Sequence, residues 1–206
     1  DLRLTFMRRP HAHEMDQPSR PNLTVVTGGA QSIPVEPKPA TSRGEARADV
    51  TDRLAGELIN AFGDQVLFLF HRRTPGHGTD LPIVAVAANG VHLIEPRSYP
   101  GKKVRACRDG SAFVIDGMRH TQLAEQMREH SEALQAAVAI GPLPETPIHA
   151  SYCFIDSNLP LGRLEVGGFR VNSVRGTLKT LRGRGSLDER QIEALHRDLS
   201  LRLERS

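Results

Sequence analysis

Three residues, Asp80, Glu95 and Arg97, have types and spacing that could support phosphodiester chemistry. Asp80 enters and Glu95 leaves a pair of apolar runs joined at Asn89-Gly90, a dipeptide typical of a β-hairpin turn. A hairpin predicts that the two carboxylates lie side by side at strand ends. Paired carboxylates bind a divalent cation, and a basic residue two positions after the second can stabilise the charge of a phosphate under attack. The pattern therefore indicates a metal-dependent phosphodiesterase site.

The remaining periodicity predicts the elements that hold these residues in place. A helix begins at Ser42-Arg43-Gly44-Glu45, which has capping-box spacing, and carries Val50, Leu54, Leu58 and Phe62 on one face. Further elements are predicted along the chain: strands at 66–70, 102–108, 112–116 and 148–155, a short β segment at 164–171, and helices at 121–140, at 174–181 and from the second capping box, Ser186 to Glu189, onward. This order favours the α/β class, with a mixed sheet flanked by helices.

The first 41 residues differ in composition from the rest. They hold six of the 14 prolines and only one short β-prone run, which predicts a flexible Pro/Gly-rich leader (1–41) followed by one domain (42–206). Arg8, Arg9, His11 and His13 could contact phosphate or metal, but we favour solvated side chains.

Composition excludes several classes of function. No apolar run approaches the roughly 20 residues that span a bilayer, and the N-terminus has no apolar signal segment. Cys107 and Cys153 lie in apolar runs and form no CxxC pair, which indicates reduced thiols and a cytoplasmic protein. A net charge of +3 and a pI near 9.2 permit a polyanionic partner. Only 4% of the residues are aromatic and Trp is absent, so a base-stacking platform is not expected.

These residues, taken in order, resemble a known family. The chain carries Gly44-Glu45 on a helix, an apolar strand, a Pro-Gly loop, Asn89-Gly90-Val91, the run Glu95-Pro96-Arg97-Ser98-Tyr99-Pro100-Gly101, a helix with Gln126, and the strand Cys153-Phe154-Ile155-Asp156. This pattern is similar to the nuclease-related domain (NERD) from Arg43 to the C-terminus. The resemblance implies a restriction-endonuclease-like fold of the PD-(D/E)XK type and Mg²⁺-dependent cleavage of DNA.

The resemblance also assigns expected roles to residues. Glu95 falls on the family's acidic metal ligand, and Arg97 falls where the family has Lys. A guanidinium cannot act as a general base, although it can still stabilise phosphorane charge. The family's metal-binding Asp aligns with Pro82, which has no side-chain ligand, and Asp80 could replace it only if the entry loop folds back. We favour a loop role for Asp80. Glu45 matches an acidic residue that supports the metal site, and capping of the first helix explains it equally well.

Other candidates carry weaker signals. Gln126 and His130 could approach a scissile phosphate, but solvation is the expected state of polar residues at a helix margin. His71 and His77 lack identifiable Zn²⁺ partners, and Asp156 is expected to start a turn. The best positive patch comprises Arg170, Arg175, Lys179, Arg182 and Arg184, which could contact phosphates or be solvated.

Two hypotheses follow. One is a divergent Mg²⁺-dependent DNA endonuclease or exonuclease in which Glu95, Asp80 and Glu45 hold the metal and Arg97 stabilises the transition state. The other is a nuclease fold that has lost catalysis, requires no cofactor and binds nucleic acid, DNA rather than RNA, or a protein assembly. We favour the second, because Pro82 and Arg97 replace two of the family's three core positions. No membrane partner is expected, and the residues do not indicate an oligomeric state.

Overall fold

A computed structural model describes residues 43–75 and 78–206, with the side chains of the first helix described from Arg47 onward. These described residues belong to one compact unit. Several predictions lie outside the described residues: the leader 1–41, the cap at Ser42, the side chain of Glu45, and His77.

The described residues form four α-helices, ten strands and one 3-10 turn. The helices are α1 (Arg43–Phe62), α2 (Gln122–Ala139), α3 (Val174–Leu181) and α4 (Glu189–Arg202), and the 3-10 turn is Gly63–Gln65. The strands are β1 (Leu67–Arg73), β2 (Asp80–Ala87), β3 (Gly90–Ser98), β4 (Val104–Ala106), β5 (Phe113–Ile115), β6 (Met118–His120), β7 (Ile148–Ile155), β8 (Leu164–Val166), β9 (Phe169–Ser173) and β10 (Glu204–Arg205). The predicted mixed α/β class is confirmed.

Seven strands form the main sheet in the order β10-β1-β2-β3-β7-β9-β8, and β4, β5 and β6 form a second sheet. β1, β2 and β3 are an antiparallel meander, whereas β7 runs parallel to β3 from Val91↔Ile148 to Ser98↔Ile155. Parallel neighbours need a crossover connection, and the segment that contains α2 supplies it between β3 and β7.

Side chains of alternate residues build a core on each face of the main sheet. Leu93 and Tyr152 belong to the cluster that α2 and α4 cover, whereas Ile94 and Cys153 belong to the cluster beneath α1 and α3. The ladder between β3 and β7 is unbroken, so Glu95, two residues after Leu93, lies on the α2 face.

The predicted hairpin is present, but its turn is shifted by one residue. Gly90 pairs with Ala87, so the connecting residues are Ala88 and Asn89. Gly90 has φ +128°, and a Cβ there would overlap the carbonyl oxygen of Pro147. Glycine is therefore needed because of a close backbone approach as well as the turn.

Two further predictions need correction. The single β segment predicted at 164–171 is the hairpin of β8 and β9, because Gly167 and Gly168 both adopt positive φ and reverse the chain. The capping box of α4 is formed by Asp188 and Gln191, which exchange hydrogen bonds of 2.9 and 3.0 Å, and not by Ser186 and Glu189. The prediction of α3 at 174–181 is confirmed without change.

Candidate functional site

Glu95 lies where the pairing between β2 and β3 stops. The last pair of that ladder is Ile83 with Ile94, so Glu95 is the first residue of β3 beyond it, and Pro82 is the first of β2. Proline has no backbone N–H to donate, which explains the end of the ladder. Glu95 is only 1% exposed. A buried carboxylate is costly unless it is paired, so its neighbours decide its chemistry.

Three cationic or basic side chains surround the Glu95 carboxylate. Arg47 Nη2 lies 2.9 Å from Oε1 and donates a hydrogen bond of 3.0 Å to Oε2. Arg97 Nη2 forms an ion pair with Oε1 at 3.0 Å, and His130 Nδ1 lies 3.3 Å from Oε2; neither contact has the angles of a hydrogen bond. Arg97 Nη2 also donates to Gln126 Oε1 at 3.4 Å. We call Arg47, Glu95, Arg97 and His130 the Glu95 cluster.

The side chains of the Glu95 cluster come from three elements, β3, α2 and α1. Arg97 follows Glu95 by two residues and therefore shares its face of the sheet, while His130 comes from α2 above that face. Arg47 comes from α1, which packs on the other face, and reaches the carboxylate where the β2–β3 pairing has ended. The interrupted ladder thus lets both sides of the sheet meet at one carboxylate.

The electrostatics keep this carboxylate charged. Burial alone raises the pKa of Glu95, but the contact with His130 and the positive charges of Arg97 and Arg47 together hold the pKa below its ordinary value. Burial, and then the charge of Glu95, raise the pKa of the Tyr152 hydroxyl, which donates to the carbonyl oxygen of Leu123. Within the described part of the cluster, the charged Glu95 carboxylate thus lies between two permanent cations, Arg47 and Arg97.

Asp80 makes its contacts elsewhere. It stands at the start of β2, its side chain is 52% exposed, and it accepts from Arg73 Nε at 3.0 Å and from Ser206 Oγ at 3.3 Å. The structure places it in a strand and not in the loop that we expected. Within 43–75 and 78–206, no three His, Cys, Asp or Glu side chains are grouped so that they could hold a metal ion.

Mg²⁺ prefers oxygen ligands in near-octahedral geometry. The described side chains at Glu95 supply one carboxylate, two guanidinium groups and an imidazole, and Pro82 supplies no side-chain ligand. An ion entering here would have to displace Arg47 and Arg97 from the carboxylate oxygens. These described side chains do not fit an Mg²⁺ site.

The sequence did not predict the roles of two members of the Glu95 cluster. The expected solvation of His130 is wrong, because this residue is only 7% exposed and faces Glu95. Arg47 was missed altogether. It precedes Val50 by three residues and Leu54 by seven, and so lies on the apolar stripe of its helix; a basic residue on that stripe is the signal that could have found it.

His71 and Asp156, two other predicted polar candidates, each contact a charged side chain at the surface. His71 Nε2 lies 2.7 Å from Asp52 Oδ1, and Asp156 Oδ2 accepts from Arg53 Nη2 at 2.7 Å. Asp156 adopts φ +55° directly after β7, and the chain bends there. The turn predicted over Asp156, Ser157 and Asn158 is not formed, since Asn158 instead makes an isolated bridge with Lys103.

The predicted positive patch is exposed on β9, on α3 and on the loop after α3. Its members are Arg170, Arg175, Lys179, Arg182 and Arg184, and we call them the α3 basic surface. Within the part of the chain that the structure describes, none of the five forms an ion pair with an acidic side chain. The guanidinium of Arg182 lies over the Phe62 ring, 5.3 Å from its centroid. Their charges are therefore available to a polyanion.

No protein-family model, curated protein or solved structure matches this chain. Among the described residues, none of the helices has the length and apolarity needed to cross a membrane.

Proposed function

We propose that this chain is a NERD-like protein with a restriction-endonuclease-like fold whose Glu95 site no longer cuts, and that it works as a nucleic-acid-binding module, for DNA rather than RNA. The resemblance in the sequence supports the fold, and the mixed sheet with helices on both faces is compatible with it. The observation that carries the loss of catalysis is the pairing of Glu95 with Arg47 and Arg97.

The pairing matters because metal-dependent phosphodiester cleavage uses carboxylate oxygens to hold a cation. Here Arg47 and Arg97 approach both oxygens of Glu95 at 2.9 to 3.0 Å. Arg97 also lacks the chemistry of a base, because a guanidinium stays protonated. The arrangement is that of a structural ion-pair cluster in place of a metal centre.

Nucleic acid is the proposed partner because the α3 basic surface presents five exposed cations without acidic partners among the described residues. Phosphate contacts from such side chains supply most of sequence-independent binding. The pI near 9.2 means that the chain is positively charged at neutral pH, which also favours a polyanionic partner.

The first experiment tests whether the Glu95 site has lost metal binding and catalysis. Mg²⁺ and Mn²⁺ are titrated by calorimetry into the wild type and into Glu95→Ala, and the same proteins and Asp80→Ala are assayed for DNA cleavage. We expect no saturable metal binding and no cleavage in any of them. Metal binding or cleavage that the wild type shows and Glu95→Ala loses, with Glu95→Ala still folded by circular dichroism, would contradict the proposal and favour the divergent nuclease.

The second experiment tests the partner. Anisotropy of a labelled DNA duplex is measured over a salt series for the wild type, for Arg182→Glu/Arg184→Glu, and for Arg105→Glu/Arg108→Glu as a matched control on exposed arginines outside the α3 basic surface. Loss of two phosphate contacts lowers the slope of log K against log salt by about 1.8. We expect this loss for the first variant and not for the second. The wild type is also tested with a labelled RNA duplex. If it binds neither DNA nor RNA at low salt, nucleic acid is excluded as the partner and a protein partner is left.

A further inference from the structure

The loop between α3 and α4 is held against the β2–β3 turn on both sides of one arginine, Arg184. A Cβ at Gly183 would come 2.6 Å from Asn89 Nδ2. A Cβ at Gly185 would overlap the carbonyl oxygen of Ala88. Glycine is therefore required on each side of Arg184, because the loop backbone approaches the turn too closely for any side chain.

Hydrogen bonds fix the same loop at its two ends. The carbonyl oxygen of Thr180, in the last turn of α3, accepts from Asn89 Nδ2 at 3.0 Å. On the far side of the loop, the Leu187 N–H donates to the carbonyl oxygen of Ala88 at 3.0 Å. A backbone that is fixed before binding reduces the conformational entropy lost when a partner docks. The structure thus holds the Arg184 backbone in one place in advance.

The Arg184 side chain differs from that of its neighbour Arg182. Arg184 is exposed, and its side chain makes no ion pair or hydrogen bond with the part of the chain that the structure describes. The Arg182 guanidinium instead lies over the Phe62 ring, 5.3 Å from its centroid. Arg182 is therefore held at the protein surface, whereas Arg184 is able to extend into a partner.

Three other cations of the α3 basic surface form a row. Arg175, Lys179 and Arg182 follow one another at spacings of four and three residues, so they lie on one face of α3. With a rise of about 1.5 Å per residue, the row is about 10 Å long. Such a row can follow the phosphates of one strand, and phosphate contacts carry no sequence information. Arg184 comes after this row and outside the helix.

The dimensions of a DNA duplex suit the row and the loop to different parts of it. The minor groove, about 6 Å wide, is too narrow for a helix of about 10 to 12 Å but admits one extended side chain. A·T tracts narrow this groove and strengthen its negative potential, which attracts arginine. A G·C pair instead places an amino group in the groove. A guanidinium is also more weakly hydrated than an ammonium group, so it enters a narrow groove at a lower cost.

We propose that Arg184 inserts into the minor groove of a DNA duplex and makes this protein select A·T-rich sites, while the row on α3 contacts the phosphates beside that groove. This inference rests on the proposed function and adds a sequence preference to it. It also gives a reason for DNA rather than RNA, because the minor groove of an RNA duplex is wide and shallow.

The test measures the anisotropy of three labelled DNA duplexes of equal length with the full chain. Their central tracts are A·T, G·C and inosine·C. Inosine lacks the minor-groove amino group of guanine and keeps its major-groove acceptors, so it separates the two grooves. We expect the wild type to bind the A·T and inosine·C tracts about tenfold more tightly than the G·C tract. If the inosine·C tract binds like G·C, the minor groove is not read and the inference is wrong.

Three variants separate groove insertion from simple charge. Arg184→Lys keeps the charge that displaces counterions, so we expect an unchanged salt slope and the loss of most of the tenfold preference. Arg175→Gln removes a phosphate contact, so it should lower the slope by about 0.9 and weaken all three duplexes by the same factor. Arg105→Lys, at an exposed position of β4 outside the α3 basic surface, is the matched control and should behave like the wild type. Thermal melting checks that each variant is folded.

The outcomes distinguish this inference from the proposed function. If the wild type binds DNA but holds all three tracts equally, or if Arg184→Lys keeps the preference, the inference is wrong and the proposed function stands. A wild type that binds no nucleic acid overturns the proposed function and this inference with it.

Discussion

Removing the negative charge of Glu95 should destabilise the fold more than any surface charge change. In Glu95→Gln the volume hardly changes, but Arg47 and Arg97 lose the carboxylate that pairs with them. The Arg97 side chain is 13% exposed and the Arg47 side chain 31% exposed. Two positive charges would then remain near each other in a site where water reaches only Arg47 well.

The magnitude follows from this burial. Removing one partner of a buried ion pair costs about 3 to 5 kcal/mol of unfolding free energy. The partial exposure of Arg47 lets it turn toward solvent, so we take the lower end, about 3 kcal/mol. With a urea slope of about 2 kcal/mol per molar, the midpoint should fall by about 1.5 M.

The effect should depend on pH with a definite sign. The folded-state pKa of Glu95 lies below its ordinary value of 4.5. The wild type therefore gains stability from the ionised carboxylate above pH 4.5 and loses it as the pH falls through the folded-state pKa. Glu95→Gln cannot lose this contribution, so the two midpoints should converge as the pH falls through the folded-state pKa of Glu95.

Urea unfolding followed by circular dichroism at neutral and acid pH measures both effects. Asp156→Asn is the matched control, because its partner Arg53 and Asp156 itself are each about half exposed, and Asn tolerates its positive φ. The reasoning is refuted if Glu95→Gln shifts the neutral-pH midpoint no more than Asp156→Asn does. A difference that stays constant down to low pH would refute the assignment of the effect to ionisation.

Three other predictions concern the packing of the fold. Gly185→Ala should lower stability by about 1 to 3 kcal/mol, because its Cβ would overlap the carbonyl oxygen of Ala88; thermal unfolding measures this, and an unchanged melting temperature would contradict the close approach. Gly56→Ala should raise stability by about 0.5 to 1 kcal/mol in the same assay, since a Cβ there meets nothing within 4 Å inside α1, and a loss would show hidden crowding. Cys153 is 0% exposed and burial raises the pKa of its thiol to about 12, so Ellman's reagent at mildly alkaline pH should label only Cys107 in the native protein. Rapid labelling of both thiols in the wild type would contradict this. Rapid labelling of Cys153 in Cys107→Ser would contradict it as well, since either result would mean that Cys153 is accessible to the reagent.

Long apolar patterns in the sequence predict the fold well where the burial is one-sided. The stripe of Ile192, Leu195, Leu199 and Leu203 predicted the final helix, and all four residues are buried. Short strands were harder, because β6 has only three residues and β10 only two. Their pairing depends on neighbours distant in the chain, and a local pattern does not contain that information.

The candidate site was predicted only in part for the same reason. Glu95 and Arg97 were found because their spacing is local to one strand. Arg47 lies 48 residues from Glu95 in the chain, and His130 reaches the carboxylate from α2. A buried carboxylate can contact residues from both faces only where the pairing between β2 and β3 stops. Pro82 marks that position, but only once the register of β2 with β3 is known.

The two outermost strands of the main sheet have a consequence for solubility. β10 has two residues and β8 has three, so these two outermost strands themselves offer few unpaired backbone groups to a second molecule. β10 also places Arg205 beside Arg72 and Glu204 beside Arg73, and charged side chains at a border discourage intermolecular strand pairing. The apolar strands β2 and β3 lie inside the sheet and are paired on both sides, so their backbone groups are not offered to other chains.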